Sequence, residues 1–156
     1  MIQTHARIAP TTETVAGVNW LVTEFCLRND RPEFGSVAEL FKFDGVLQLG
    51  PLRIEGREAI TAFFVKRNAT HAEIGRITRH VCGPVALREV SPGVVEAHAA
   101  LIVFAGVGAL PLPSEPPSTV ADFDCVCERN ERGEWQFAER KASVLFISNK
   151  ASPYLR

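Results

Sequence analysis

Between residues 12 and 29 apolar side chains recur every three or four positions: Val15, Val18, Val22, Phe25 and Cys26. That spacing aligns them on one face of a helix. Thr11 or Thr12 supplies the cap, and Glu13 lies near the positive end of the helix dipole. Asn29-Asp30-Arg31-Pro32 ends the pattern, because the residue before a proline disfavours helix. Ser36-Val37-Ala38-Glu39 has the form of a capping box, which predicts a short second helix turning Val37, Leu40 and Phe41 inward. Asp44-Gly45 reads as a turn and Val46 to Leu49 as a short strand stopped by Gly50-Pro51. A third helix, Arg57 to about Arg67, buries Ile60, Phe63 and Phe64.

After Gly75 the pattern changes. Residues 76–82, 85–91, 94–107, 119–129 and 134–147 are rich in Val, Ile, Phe and Thr and are bounded by turn signals, as strands are. Pro92-Gly93 and Asn130 to Gly133 are the hairpin turns. Residues 110–118 form a proline-rich connection, readable as a stiff lid or as a long hairpin loop. Residues 1–10 are an N-terminal arm and 148–156 a tail, so residues 1–156 read as one domain with no internal repeat. Three helices followed by a run of strands predict an α+β fold, with the helices on one face of an antiparallel sheet.

Composition narrows the function classes. The 156 residues are 46% hydrophobic and 22% charged with a net charge of −1, an ordinary balance for one globular core. Near-neutral charge gives no long-range attraction to nucleic acid or to anionic lipid. No apolar run reaches the ~18 residues that a spanning helix needs, and the N-terminus lacks the apolar stretch of a secretory signal. Four sparse cysteines, Cys26, Cys82, Cys125 and Cys127, read as reduced thiols of a cytoplasmic protein. Cys125-x-Cys127 lacks the second Cys/His pair of a metal site. No nucleotide-binding glycine motif and no serine-hydrolase elbow is present. The expectation is a protein without metal or cofactor.

The stretch from Asp30 through Glu33, Phe34, Val37, Leu40 and Phe41 to Asp44-Gly45-Val46 resembles the early segment of the SnoaL-like group of the nuclear transport factor two superfamily. Gly56-Arg57-Glu58-Ala59-Ile60 matches the start of a helix in that group, and Thr78-Arg79-His80 resembles the Thr-x-His that opens its main sheet. Gly133-Glu134-Trp135-Gln136-Phe137 resembles its last hairpin. The resemblance implies a cone, in which a bent antiparallel sheet and three N-terminal helices enclose a small-molecule pocket. The superfamily also includes scytalone dehydratase and the small subunits of ring-hydroxylating dioxygenases, so the fold alone does not fix the chemistry.

The candidate chemistry follows from that resemblance. Asp30 and His80 match the aspartate and histidine that face the pocket in scytalone dehydratase. A carboxylate beside an imidazole fixes its tautomer and favours its protonated form, which suits general acid–base work. The dehydratase's second histidine falls at Phe104, and its two tyrosines fall near Asn29 and Leu49, so that machinery is incomplete here. Phe104 and Leu49 remain expected pocket residues. His98 shares the alternating face of Ala100, Ile102 and Phe104, directed either at the pocket or at its mouth. The resemblance also turns Asp122 and Asp124 inward as ligand-holding groups; periodicity instead turns Phe123, Cys125 and Cys127 inward and leaves both aspartates in water. Leu101, Val103 and Val107 then form an outer apolar strip, expected to be buried in a homodimer or homotrimer. Two functions are in view: a cofactor-independent lyase or isomerase acting on a small apolar carbonyl or polyketide-like compound, and a non-catalytic binding or assembly subunit.

Overall fold

A computed structural model describes residues 9–156. Nearly all of the expected N-terminal arm lies outside the described residues. Helix α1 (Thr12–Asp30) begins where Thr11 Oγ1 accepts the backbone N–H of Thr14 at 3.2 Å. It ends where the N–H of Arg31 closes on the carbonyl of Leu27. Its buried face is Val18, Leu21, Val22, Phe25 and Asn29. Helix α2 (Arg57–Glu73) runs six residues past the expected end, because nothing before Gly75 interrupts it.

The described residues contain two α-helices rather than three. The expected middle helix is a single 3-10 turn, Val37–Leu40. Ser36 caps it through the N–H of Ala38, but Glu39 turns away to Arg28 Nη1 at 3.1 Å, so the reciprocal half of a capping box is missing. The turn stops because Phe41 is taken into the sheet opposite Phe137. Strand β1 (Phe41–Leu49) therefore starts earlier than expected, and Asp44-Gly45 is an irregularity within it, where the register with its neighbour shifts. Gly45 is needed there, since an added Cβ would meet the carbonyl oxygens of Lys42 and Phe137 at 3.0 Å.

The remaining strands are β2 (Leu52–Glu55), which the periodicity did not reveal, β3 (Arg76–Cys82), β4 (Ala86–Ser91), β5 (Val94–Val107), β6 (Thr119–Arg129) and β7 (Trp135–Ile147). They form one seven-stranded curved sheet in the order β2-β1-β7-β6-β5-β3, with β4 paired to the other half of β5. All pairings are antiparallel except β1 with β7, which is parallel, so the sheet is mixed. The core fills the concave side: Phe25, Phe41 and Phe137 pack ring on ring with centroids 5.2–6.3 Å apart.

The faces of the central strands correct several expectations. On β5 the buried set is Val95, Ala97, Ala99 and Leu101; His98 and Phe104 are on the exposed side. Directly opposed residues share a face, and the ladder sets Ala97 against Cys125, Ala99 against Phe123 and His98 against Asp124. On β6 it is Phe123, Cys125 and Cys127 that are buried. Burial of a phenylalanine and two thiols outweighs burial of two carboxylates, so Asp122 and Asp124 stay on the outer side. Leu101 and Val103 are thus inner residues and not part of an outer strip. Val107 pairs with Arg76 and shares the face of Leu101 and Val103, exposed at the end of the strand, so it is not part of an outer strip either; the outer side carries the exposed Phe104 and Val81 instead.

Candidate functional site

Asp30 is the last residue of α1, held against the face of β3. Thr78 and His80 are two apart on that strand and share this face. One carboxylate collects both. The Thr78 hydroxyl donates to Asp30 Oδ1 at 2.7 Å, the His80 backbone N–H donates to Oδ2 at 2.6 Å, and His80 Nδ1 meets Oδ1 at 2.6 Å. The Thr-x-His spacing thus has a direct geometric meaning. Both side chains of the pair are nearly buried, at 11% exposure for His80 and 6% for Asp30.

Burial opposes ionisation of Asp30, but the hydrogen bonds and charge of His80 and the Thr78 hydroxyl outweigh it, and its carboxyl is held below the ordinary value of 3.8. An ionised carboxylate only accepts, so Nδ1 of His80 is the donor and carries a proton. The other ring nitrogen, Nε2, lies 3.1 Å from Nδ2 of Asn29. In the neutral imidazole Nε2 is then the acceptor of that amide N–H. Asn29 is itself buried, and its Oδ1 has no partner. Turning the amide over would present Oδ1 to a protonated Nε2, so the side chain of Asn29 is matched to either charge state of the ring.

His80, with Asp30 behind it, opens on a partly enclosed cavity of about 60 Å³. Leu49, Leu101 and Val103 form part of its apolar wall, and Ser118, Thr119 and Tyr154 add hydroxyls. Tyr154, in the short turn Pro153–Leu155, stacks edge-on against Phe63 at 5.3 Å and meets Arg67 Nε at 3.3 Å. On the far side of this turn lies an open groove of about 440 Å³ that shares Phe63, Arg67, Arg76, Ser152 and Tyr154 with the cavity. The Tyr154 turn is the partition between the two.

Of the expected site residues, Asp30, His80 and Leu49 are brought to this place. His98, Phe104, Asp122 and Asp124 are not. His98 Nδ1 lies 2.7 Å from Asp124 Oδ1 in a groove on the outer face of the sheet, with both side chains more than half exposed. Phe104 lines another outer groove against Arg79 and the proline-rich segment, of which only Ser118 reaches the cavity.

Residues that the sequence did not single out also line the cavity: Asn29, Arg67, Arg140 and Tyr154. Arg140 is 1% exposed and stacked between Phe25 (3.7 Å from guanidinium carbon to ring centroid) and Phe123 (4.9 Å). Strand alternation from Trp135 and Phe137 puts Glu139 inward and Arg140 outward. The ladder slips by one between Val126 and Cys127, leaving Ala138 as an extra residue on β7 and reversing that parity. Reading back from the apolar Ala142 and Val144 would have placed Arg140 correctly.

Comparison with known proteins agrees with this architecture. No curated protein matches the chain. Among solved structures, ActVI-ORFA from Streptomyces coelicolor superposes with a TM-score of 0.75 at 20% identity, covering 88% of this chain and 99% of that one. Aln2 from another Streptomyces gives 0.72 at 20% identity, covering 88% and 94%. A protein assigned as a scytalone dehydratase from Novosphingobium aromaticivorans gives 0.68 at 16% identity, covering 92% and 94%. At these identities the likeness establishes the fold. The sequence model of the SnoaL-like domain matches residues 10–141, which include the Asp30–His80 pair and most of the cavity wall, and the chain therefore belongs to the SnoaL-like domain family.

Proposed function

We propose that the protein is a cofactor-independent lyase or isomerase acting on a small carbonyl compound of polyketide type. The buried Asp30–His80 pair at the cavity wall is the observation that carries this reading. Asp30 keeps the proton of His80 on Nδ1 and leaves Nε2 as the base. Nε2 removes a proton from carbon next to the carbonyl, and the electron pair moves to the carbonyl oxygen as an enolate. The imidazolium then returns the proton to a hydroxyl on the β carbon, which leaves as water as the enolate collapses to a conjugated C=C, or, where a C=C is already conjugated with the enolate, to its far (γ) carbon. The first outcome is dehydration and the second isomerisation. Asn29 gives up Nε2 to the substrate, and the Tyr154 turn moves aside, since about 60 Å³ is far below the ~300 Å³ of ordinary ligand pockets. Neighbours in the fold such as the assigned scytalone dehydratase support this class of reaction.

Exchange of deuterium from heavy water into the carbon next to the carbonyl, followed by NMR over a panel of cyclic aromatic ketones, tests the proposal. His80→Ala should slow exchange by about 10²–10⁴-fold, the usual contribution of a general base. Exchange at the wild-type rate in that variant would end it. A second reading, a non-catalytic binding or assembly subunit, is favoured by one observation: both ring nitrogens of His80 are already bonded within the protein. Ligand binding without exchange by the wild-type protein is the outcome that reading requires.

A further inference from the structure

The charges on the cavity wall do not balance. Arg67, Arg76, Arg140 and His80 line it, and among the described residues no aspartate or glutamate does. Asp30 lies just behind the wall, its oxygens taken by His80 and Thr78. Arg67 is buried and uses neutral partners: the Asn29 carbonyl, Asn68 Oδ1 and the Tyr154 hydroxyl. Arg76 donates through Nη2 to the Lys150 carbonyl, and its buried Nε has no partner. Arg140 is the extreme case, 99% buried with Nε and Nη2 both unpartnered. Nearby Cys26, Cys82 and Cys125 provide no counter-charge, because burial raises each thiol and keeps it protonated. Two aromatic faces soften the isolation of Arg140 but accept no hydrogen bond in the plane of the guanidinium. A buried cation with free donors is strongly unfavourable unless an anion completes it.

We infer that the cavity is built for an organic anion, and that its ligand carries a carboxylate seated on the free donors of Arg140, with Arg76 as the second cation. This rests on the preceding reading in one respect: the same cavity is the substrate site, so the carbonyl substrate is also an acid. A guanidinium edge with two free donors on one side matches the two oxygens of a carboxylate. The aromatic rings above and below Arg140 hold that edge in place.

The test compares two probes of one shape, 2-naphthoate and the neutral 2-naphthamide, by isothermal titration calorimetry on the full chain. The carboxylate should bind tighter by roughly tenfold or more, the usual effect of a charge-assisted hydrogen bond. Arg140→Met keeps the length and apolar packing of the side chain and should abolish the preference. His80→Ala should keep it, because the imidazole is not the anchor. Equal or weaker binding of naphthoate, absence of binding by both probes, or an unchanged preference in Arg140→Met overturns the inference. If Arg140→Met does not fold, the wild-type comparison decides by itself. Retained carboxylate preference with no proton exchange would sink the catalytic reading and leave this one standing; the converse result would do the opposite.

Discussion

Asp30→Asn removes a charge and half of the acceptor capacity at a carboxylate that accepts three hydrogen bonds. The amide must keep its oxygen on the His80 backbone N–H, which cannot rotate away. Its NH2 then faces Nδ1 of His80 and the Thr78 hydroxyl. The hydroxyl can turn to accept, and the imidazole can move its proton to Nε2, so no donor is left stranded. What is lost is charge assistance, a difference of about 1 kcal/mol for each bond concerned. Three such bonds, less any relaxation, give a loss of about 2–3 kcal/mol. For a chain of this size that is a fall of roughly 5–10 °C in Tm. The outer pair supplies the control, because His98 and Asp124 are 2.7 Å apart but both more than half exposed. Asp124→Asn should cost only about 0–1 kcal/mol. Urea unfolding followed by far-UV circular dichroism measures both, and 15N chemical shifts of the His80 ring report the tautomer. Equal losses for the two variants, or an Asp30→Asn protein within about 0.5 kcal/mol of wild type, would refute the argument that burial separates these pairs.

Burial and the charges of Arg67, Arg76 and His80 lower the pKa of His71 from 6.5 to about 4, so the unfolded chain binds more protons in that interval. Stability should therefore fall as pH drops from about 6.5 to about 4, and His71→Asn should flatten the urea midpoint across that window. Asp30, held below its ordinary value, contributes stability that is lost only at lower pH, below about 3.8. Gly17→Ala should destabilise: helix propensity favours alanine by about 1 kcal/mol, but the new Cβ would reach Trp135 Nε1 at 2.8 Å, and overpacking a buried ring costs about 1–3 kcal/mol. We propose that the protein is a homo-oligomer joined through the outer sheet face, where Val81 and Phe104 are exposed. Phe104→Glu should then lower the mass measured by light scattering to that of the monomer, and a monomeric wild-type protein would refute the proposal.

The strands were legible because each carries a dense run of β-branched and aromatic residues between turn signals. Their faces were not legible where both sides are apolar. On β5, Ala99 and Leu101 alternate with Ala100, Ile102 and Phe104, and only the ladder partners on β6 decide which set is buried. The short β2 holds four residues with two arginine- and glutamate-bearing positions and leaves too brief a pattern to detect. Asp30 and His80 came from motif resemblance, and the geometry explains the spacing of Thr78 and His80. Arg140 and Asn29 were missed for opposite reasons. Arg140 is displaced by an extra residue on β7. Asn29 has the form of an ordinary helix-ending asparagine until β3 packs over it.

The parallel pairing of β1 with β7 has a consequence for how the chain acquires its structure. Gln48 and Lys141 are partners although roughly ninety positions separate them, whereas β6 and β7 meet across the short turn at Asn130 to Gly133. Closing a long loop loses entropy before its contacts repay it, so distant pairings form slowly and local hairpins quickly. The β5–β6–β7 meander is the fast unit, and docking of β1 sets the pace. Arg140 sits opposite Leu47 of β1. Until that strand arrives its guanidinium remains hydrated on one side, and the dehydration of the cation falls on the same slow, late step.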